Sequence, residues 1–216
     1  MKKLRLLFLA LLTVNFSYSQ SQEECLNNLS IFAESAKVKN YDAAYDTWKL
    51  VLELCPKINL AVYTYGERIL KHKIKNSSGE DQLNFKKSLV SLYDKWLVNF
   101  PSKKGVSRVG DILSTKAQVM IDNKMAGDAE VYQVFDLAYK KDAASFTNPK
   151  GLYNYFDTLY KQYKSAENDV SPEHLFNMYE EISEKIEFEA TKLAKKLDKI
   201  QIKIDSGQPL TKKKKK

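Results

Sequence analysis

Apolar residues recur every three or four positions along most of the chain, which is the spacing of one face of an α-helix. Between Tyr41 and Leu54, for example, Ala44, Trp48 and Val51 follow this spacing. A β-strand would instead alternate apolar and polar residues at every second position. The same pattern predicts further helices over Leu60 to Ile74, Leu83 to Phe100, Val109 to Ile121 and Val131 to Tyr139.

Short breaks separate these segments. Proline, glycine or small polar residues, which end helices, occur in all of them. They are Cys55-Pro56, Asn76-Ser77-Ser78-Gly79, Phe100-Pro101, Ala126-Gly127 and Asn148-Pro149. The 216 residues include only seven glycines and five prolines, too few for the many tight turns of a β-sandwich. Helices of about 15 residues joined by short turns are typical of helical-hairpin solenoids, so we predict an all-α fold.

The segment from Cys25 to Pro56 is predicted to form one such hairpin. Its helices cover about residues 25–38 and 41–55, with a tight turn at Lys39-Asn40. Cys25 then opens the first helix and Cys55 closes the second, so the two cysteines are neighbours at the open end of the hairpin. We predict a disulfide between them, since these are the only two cysteines of the chain.

A redox or metal-binding role is the alternative for this cysteine pair. The chain has no C-x-x-C spacing, and His72 is the only histidine in its first half. A zinc site would need two further ligands that the sequence does not offer nearby. We therefore expect no metal and no cofactor.

The second helix of this hairpin resembles that of a tetratricopeptide repeat. Asn40 to Ala44 matches the turn and small-residue start, Trp48 the aromatic position, Val51 the small apolar position and Pro56 the terminal proline. In the first helix Phe32 stands where the family has glycine or alanine. The chain looks like exported bacterial proteins of this family that carry a cysteine pair around the first repeat. The resemblance implies a right-handed solenoid that binds other proteins.

The N-terminus has the composition of a secretory signal peptide. Lys2, Lys3 and Arg5 precede an apolar run from Leu6 to Val14, and the small residues Ser17 and Ser19 follow it. A run of about ten residues is half of what a bilayer core requires. We expect cleavage after residue 19 and an exported protein, periplasmic or secreted.

Positive charge is concentrated at the two ends of the chain. The formal net charge is +8, but without the three basic residues of the signal peptide and Lys212 to Lys216 it is zero. A neutral body does not attract nucleic acid. The lysine run cannot fold, so residues 206–216 are predicted to be a disordered tail that can contact an anionic membrane surface. Such a run is also what a frameshift leaves, so a longer repeat protein is an alternative interpretation.

Catalytic arrangements are scarce. The two histidines, His72 and His174, are expected at the surface, and the sequence lacks a phosphate-binding loop and a serine elbow. We therefore expect no enzyme activity.

Aromatic residues suggest where a partner binds. Tyr153, Phe156, Tyr160 and Tyr163 share one helix face, which is expected to pack on a neighbouring helix. The alternative interpretation is that Tyr63, Tyr65 and Tyr155 line a groove for a peptide or glycan, because tyrosine buries a large area at low entropic cost, and these three are our candidate partner-binding residues.

A long helix is predicted over residues 171–205, after the capping pair Ser171-Pro172. Its apolar positions are Ile182, Ile186, Ala190, Leu193, Leu197, Ile200 and Ile204. This stripe is expected to cap a repeat domain over residues 20–170, and self-association is the alternative. The sequence thus predicts an exported scaffold for protein–protein interactions at the bacterial cell envelope, with an anionic-surface binder acting through the lysine tail as the alternative.

Overall fold

The computed structural model describes residues 22–165 and 170–207, most of them helical. It divides into two compact units between Pro101 and Ser102, a boundary inside the predicted repeat domain. The first unit contains helices α1 (22–37), α2 (Tyr41–Leu54), α3 (Ala61–Lys75) and α4 (Gly79–Asn99). The second contains strands β1 (Ser102–Lys103) and β2 (Val106–Ser107), then helices α5 (Val109–Asp122), α6 (Asp128–Asp142), α7 (Pro149–Lys164) and α8 (Pro172–Asp205).

The predicted all-α fold is confirmed, and successive helices pack on one another within each unit. The signal peptide and Lys212 to Lys216 lie outside the described residues. In the part of the chain that the structure describes, no helix is both long enough and apolar enough to span a bilayer.

The first helical hairpin forms as predicted. Lys39 adopts the positive φ of 63° that reverses the chain, and the side chain of Asn40 accepts a hydrogen bond from the Ala43 amide at the start of α2. At the open end Cys25 and Cys55 form a disulfide, with their Cα atoms 6.1 Å apart. Such a bond is typical of proteins outside the reducing cytosol.

Trp48 fixes the packing of α2 on α3. Its ring is buried, and its indole Nε1 donates a hydrogen bond of 2.7 Å to the carbonyl oxygen of Val62. The ring lies over Gly66, where an added Cβ atom would come within 2.6 Å of it. Gly66 therefore allows the two helices to approach closely.

The short β-hairpin was not predicted. Lys104 and Gly105 form its turn with φ values of 54° and 77°, and Ser102 pairs with Ser107. Two positive φ values in succession match a tight hairpin turn. The Lys-Gly pair was a weak signal for it, because strands of two residues are too short to show an alternating pattern.

Asp142, at the end of α6, caps the start of α5. Its carboxylate accepts hydrogen bonds from the hydroxyls of Ser107 and Ser145, at 2.6 and 2.5 Å, and a longer one from the Gly110 amide. Burial alone would raise the pKa of the Asp142 carboxyl, but these hydrogen bonds outweigh it and the pKa lies below its usual value.

We expect the Asp142→Asn variant to lose about 1 kcal/mol of unfolding free energy at pH 7, the usual cost of a lost helix cap. A lowered folded-state pKa stabilises the protein above the unfolded-state pKa of about 3.9. This stabilisation disappears as the pH falls from there through the folded-state value, so the difference from wild type should shrink below about pH 4. Urea denaturation at both pH values measures it.

Asp46 provides the matched control, because it is an exposed carboxylate on α2. The Asp46→Asn variant should unfold like wild type at both pH values. If Asp142→Asn also unfolds like wild type at pH 7, its carboxylate does not cap α5.

Helix α8 is about twice as long as α7, with 34 residues against 16. The two run antiparallel, since Phe156 contacts Tyr179 and Tyr163 faces Pro172 across a shared cavity. Met178 and Ile182 are buried, whereas Leu193, Leu197, Ile200 and Ile204 are exposed. The predicted capping role therefore accounts for the first half of the apolar stripe and not for the second.

Candidate functional site

A groove lined mainly by aromatic rings lies between α7 and α8, and we call it the aromatic groove. Its volume is about 390 Å³. The lining residues are Phe156, Tyr160, Tyr163, Pro172, Leu175, Phe176 and Tyr179. Four of the rings are exposed, those of Tyr160, Tyr163, Phe176 and Tyr179. Exposed apolar surface concentrated in this way is typical of an interaction site.

The rings are arranged in contact pairs. Phe156 and Tyr179 meet edge to face across the two helices, with ring centroids 5.6 Å apart. Tyr160 and Tyr163 stack along α7 at 6.5 Å, and the Lys164 Nζ lies 5.5 Å from the Tyr160 ring centroid. These contacts hold the rings in place, so a ligand would lose little side-chain entropy on binding to them.

The helices that carry the groove are tied together by two tyrosines of α6 and α7, one half-buried and one buried. Tyr155 of α7 donates a hydrogen bond of 3.0 Å to Asp136 of α6. Tyr139 of α6 donates one of 2.7 Å to Glu181 of α8. Burial, together with the bond to the Glu181 carboxylate, raises the pKa of Tyr139, which keeps its hydroxyl protonated as a donor.

Two of the three predicted partner-binding tyrosines are in the core, so this prediction is wrong for them. Tyr63 is buried, and its hydroxyl donates to the Pro56 carbonyl and accepts from Asn99. Tyr155 is buried among the rings of Phe135 and its neighbours. Because their hydroxyls are satisfied inside the protein, neither is available to a ligand.

Tyr65 is half-buried, and it lies against α1. Its ring meets Phe32 edge to face at 6.5 Å, and the Arg68 guanidinium lies over it at 5.6 Å from the ring centroid. It does not line the aromatic groove.

The face of α7 expected to be packed is the one that lines the groove. Tyr153, Tyr160 and Tyr163 are exposed, whereas Leu152, Tyr155 and Leu159 are buried. Both sets have helical spacing, so spacing alone could not choose between them. The aliphatic residues Leu152 and Leu159 were the signal that the Tyr155 face is the core. Phe176 and Tyr179, three residues apart at the start of α8, were not singled out.

The first unit contains a second groove, of about 290 Å³, with a different character. Trp48, Leu52, Leu70 and Leu92 form its apolar floor, and polar side chains form its rim. The rim residues are Tyr45, Lys49, Glu53, Lys87, Ser88, Ser91 and Lys95. It has fewer rings than the aromatic groove and a basic edge.

Titratable groups outside the grooves form structural contacts. His72 is tied to Asp42 at 3.0 Å, with Lys73 bonded to the same carboxylate, so this histidine links α3 to α2. The hydrogen bonds from Lys73 and His72 lower the pKa of the Asp42 carboxyl. His174 is exposed in the first turn of α8. Among residues 22–165 and 170–207 no three histidine, cysteine or acidic side chains gather as metal ligands would.

Comparison with known proteins gives no relative. The chain matches no protein-family model, no curated protein sequence and no solved structure. The likeness to tetratricopeptide repeats therefore rests on the residues around Trp48 alone.

Proposed function

We propose that the protein is an exported, non-catalytic scaffold that binds an extended apolar segment of another protein in the aromatic groove. The observation that supports this proposal is the set of exposed rings gathered in one cavity, on helices that the hydrogen bonds of Tyr139 and Tyr155 tie together. Aromatic residues concentrate binding energy at protein interfaces, because each buries a large area with few rotatable bonds.

The lining chemistry favours a peptide over a glycan. Sugar hydroxyls need several hydrogen-bonding partners, and the lining residues that the structure describes include no carboxylate and no amide side chain. The tyrosine hydroxyls are the only polar side-chain groups among them. A leucine, phenylalanine or methionine side chain of a partner suits such a cavity, with the hydroxyls bonded to its backbone.

The finer features of the proposal come from the sequence. They are a right-handed stack of tetratricopeptide-like hairpins, export by a signal peptide over residues 1–19, and a periplasmic or secreted location. The Cys25–Cys55 disulfide supports export, since it is stable only outside a reducing compartment.

Peptide display on the immobilised protein tests this function. A library of random peptides of about 12 residues should yield sequences rich in apolar and aromatic residues. Their affinity, measured by fluorescence polarisation, should fall about tenfold or more in the Tyr160→Ala variant, because a central aromatic contact is lost.

Tyr153 is the matched control. It is a tyrosine on the same helix, 61% exposed against 44% for Tyr160, and it does not line the groove. The Tyr153→Ala variant should bind the selected peptides as wild type does. Equal affinity of wild type and Tyr160→Ala for every selected peptide would rule out the groove as the binding site.

A further inference from the structure

The second half of α8 packs on no other described element of the second unit. At 1.5 Å per residue α8 is about 51 Å long and α7 about 24 Å. Because the two helices run antiparallel from a shared end, α7 reaches only to about residue 188 of α8. Glu189 is the last buried residue, and every residue from Ala190 to Gly207 is exposed. We call Ala190–Asp205 the α8 extension.

The extension continues the apolar stripe that α7 covers in the first half of the helix. Ala190, Leu193, Leu197, Ile200 and Ile204 follow one another at intervals of three or four residues, on one face. Leu197 is 65% exposed. An exposed apolar stripe of this kind is typical of a helix that buries the stripe against another molecule.

A row of lysines borders the stripe. Lys192, Lys196, Lys199 and Lys203 follow at intervals of four, three and four residues, so they share one flank of the helix. With Lys195, five lysines stand against Asp198 and Asp205, which gives the extension a net charge of +3. Lys192 forms an ion pair with Glu189 at 3.2 Å, so the lysines that follow it carry most of this positive charge. Five further lysines follow in the sequence from Lys212.

We propose that the α8 extension is an interfacial helix that docks the protein on an anionic lipid bilayer. The apolar stripe enters the boundary between headgroups and acyl chains, and the lysines beside it contact lipid phosphates with their long side chains. Each lysine near such a surface contributes on the order of 1 kcal/mol, and the apolar side chains contribute by burial. The site goes beyond the proposed scaffold function, because it lies outside the aromatic groove.

A second copy of the chain fits this stripe less well. An antiparallel pair would bring the two lysine flanks together, with Lys196 beside its own copy at the centre. In a parallel pair the two copies of α7 would both lie between the two α8 helices. The reason is that α7 covers, up to about residue 188, the face of α8 that carries the stripe. Like charges oppose the first arrangement and steric overlap opposes the second.

Nucleic acid would leave the stripe unexplained. Phosphate contacts need lysines alone, and water would still surround Leu193, Leu197, Ile200 and Ile204. Lipid is the anionic partner that covers apolar and basic side chains of one helix together.

Vesicle flotation tests the proposal, with protein purified after export in a host cell. Wild type should float with phosphatidylcholine vesicles that contain about 30% phosphatidylglycerol and should stay behind with phosphatidylcholine alone. The double variant Leu193→Asn/Leu197→Asn should lower the partition coefficient about a hundredfold, because two apolar side chains no longer enter the bilayer. The Lys196→Gln/Lys203→Gln variant should lower it about tenfold or more at low salt.

The opposite face of the same helix provides the matched control. Phe188 and Ile202 are each 65% exposed, like Leu197, but they lie away from the stripe. The variant Phe188→Asn/Ile202→Asn should partition within about threefold of wild type. Circular dichroism and peptide affinity should match wild type in all three double variants, since the replaced side chains are exposed and outside the aromatic groove.

Three results would overturn the proposal. One is flotation that survives Leu193→Asn/Leu197→Asn and disappears when residues 211–216 are deleted, which would assign binding to the tail. Another is equal loss in Phe188→Asn/Ile202→Asn. The third is wild type that does not float with anionic vesicles. If it also sediments as a dimer, and Leu193→Asn/Leu197→Asn dissociates that dimer, the stripe is the contact with a second copy.

Discussion

The Gly110→Ala variant should lose about 3 kcal/mol of unfolding free energy, because α5 and α6 meet at this residue without room for a side chain. An added Cβ atom would lie 2.0 Å from the carbonyl oxygen of Asp142 and 3.0 Å from the Ser145 hydroxyl. The first of these atoms is backbone, so no rotamer change can relieve the overlap. The start of α5 would have to move away from the end of α6, and the bonds of the Asp142 carboxylate would lengthen.

Urea denaturation followed by far-ultraviolet circular dichroism measures this loss. Gly127 is the control, since an added Cβ atom there has no atom within 4 Å. Its φ of −76° suits alanine, but Gly127 is the N-cap of α6, where alanine is less favourable than glycine, so Gly127→Ala should lower the free energy of unfolding by no more than about 1 kcal/mol. Equal stability of the Gly110→Ala and Gly127→Ala variants would show that α5 and α6 are not in contact at Gly110.

Helix positions could be predicted from the sequence because local chemistry marks their ends. The side chain of Asn148 accepts a hydrogen bond from the Gly151 amide, and Ser171 accepts one from the His174 amide, each followed by a proline in the first turn. These contacts span three residues, so they can be recognised without knowledge of the fold. The disulfide was equally accessible, since one hairpin brings its two cysteines together.

The position of the aromatic groove could not be predicted, because it depends on which helix covers which face. On α7 the Tyr155 stripe and the Tyr160 stripe have the same spacing, and only the position of α6 decides that the first is buried. Tyr63 likewise is oriented by Pro56 and Asn99, which lie 7 and 36 residues away. For Tyr155 the aliphatic neighbours Leu152 and Leu159 were the one local signal of burial, whereas Tyr63 is placed by partners that its own segment does not reveal.

Helix lengths offered more information than periodicity did at the end of the chain. The predicted apolar stripe of α8 ran to Ile204, and the aromatic helix before it, α7, was much shorter. The two lengths alone therefore indicated that α7 cannot cover the C-terminal end of α8. The expectation of capping treated the stripe as one surface. In the structure the stripe is covered by α7 only up to about Glu189 of α8, which lies level with the first residues of α7.

Replacing both cysteines by serine should lower the free energy of unfolding by about 3 kcal/mol, the loop-closure term for a separation of 30 residues. The effect should be concentrated in α1. Phe32 and Ala36 are the only fully buried apolar residues that the structure describes in this helix, and Leu26 and Ile31 are exposed. The disulfide is therefore the main contact that holds the N-terminal end of α1 on α2.

Hydrogen exchange locates this effect, because amides open in local units before the whole unit unfolds. In the Cys25→Ser/Cys55→Ser variant the amides of α1 should lose protection, whereas those of α3 should keep most of it around the buried Trp48 and Val62. Dithiothreitol should produce the same pattern in wild type and no change in the variant, which has no cysteine left. If α1 and α3 lost protection together, the disulfide would stabilise the first unit as a whole, and α1 would not be a separate opening unit.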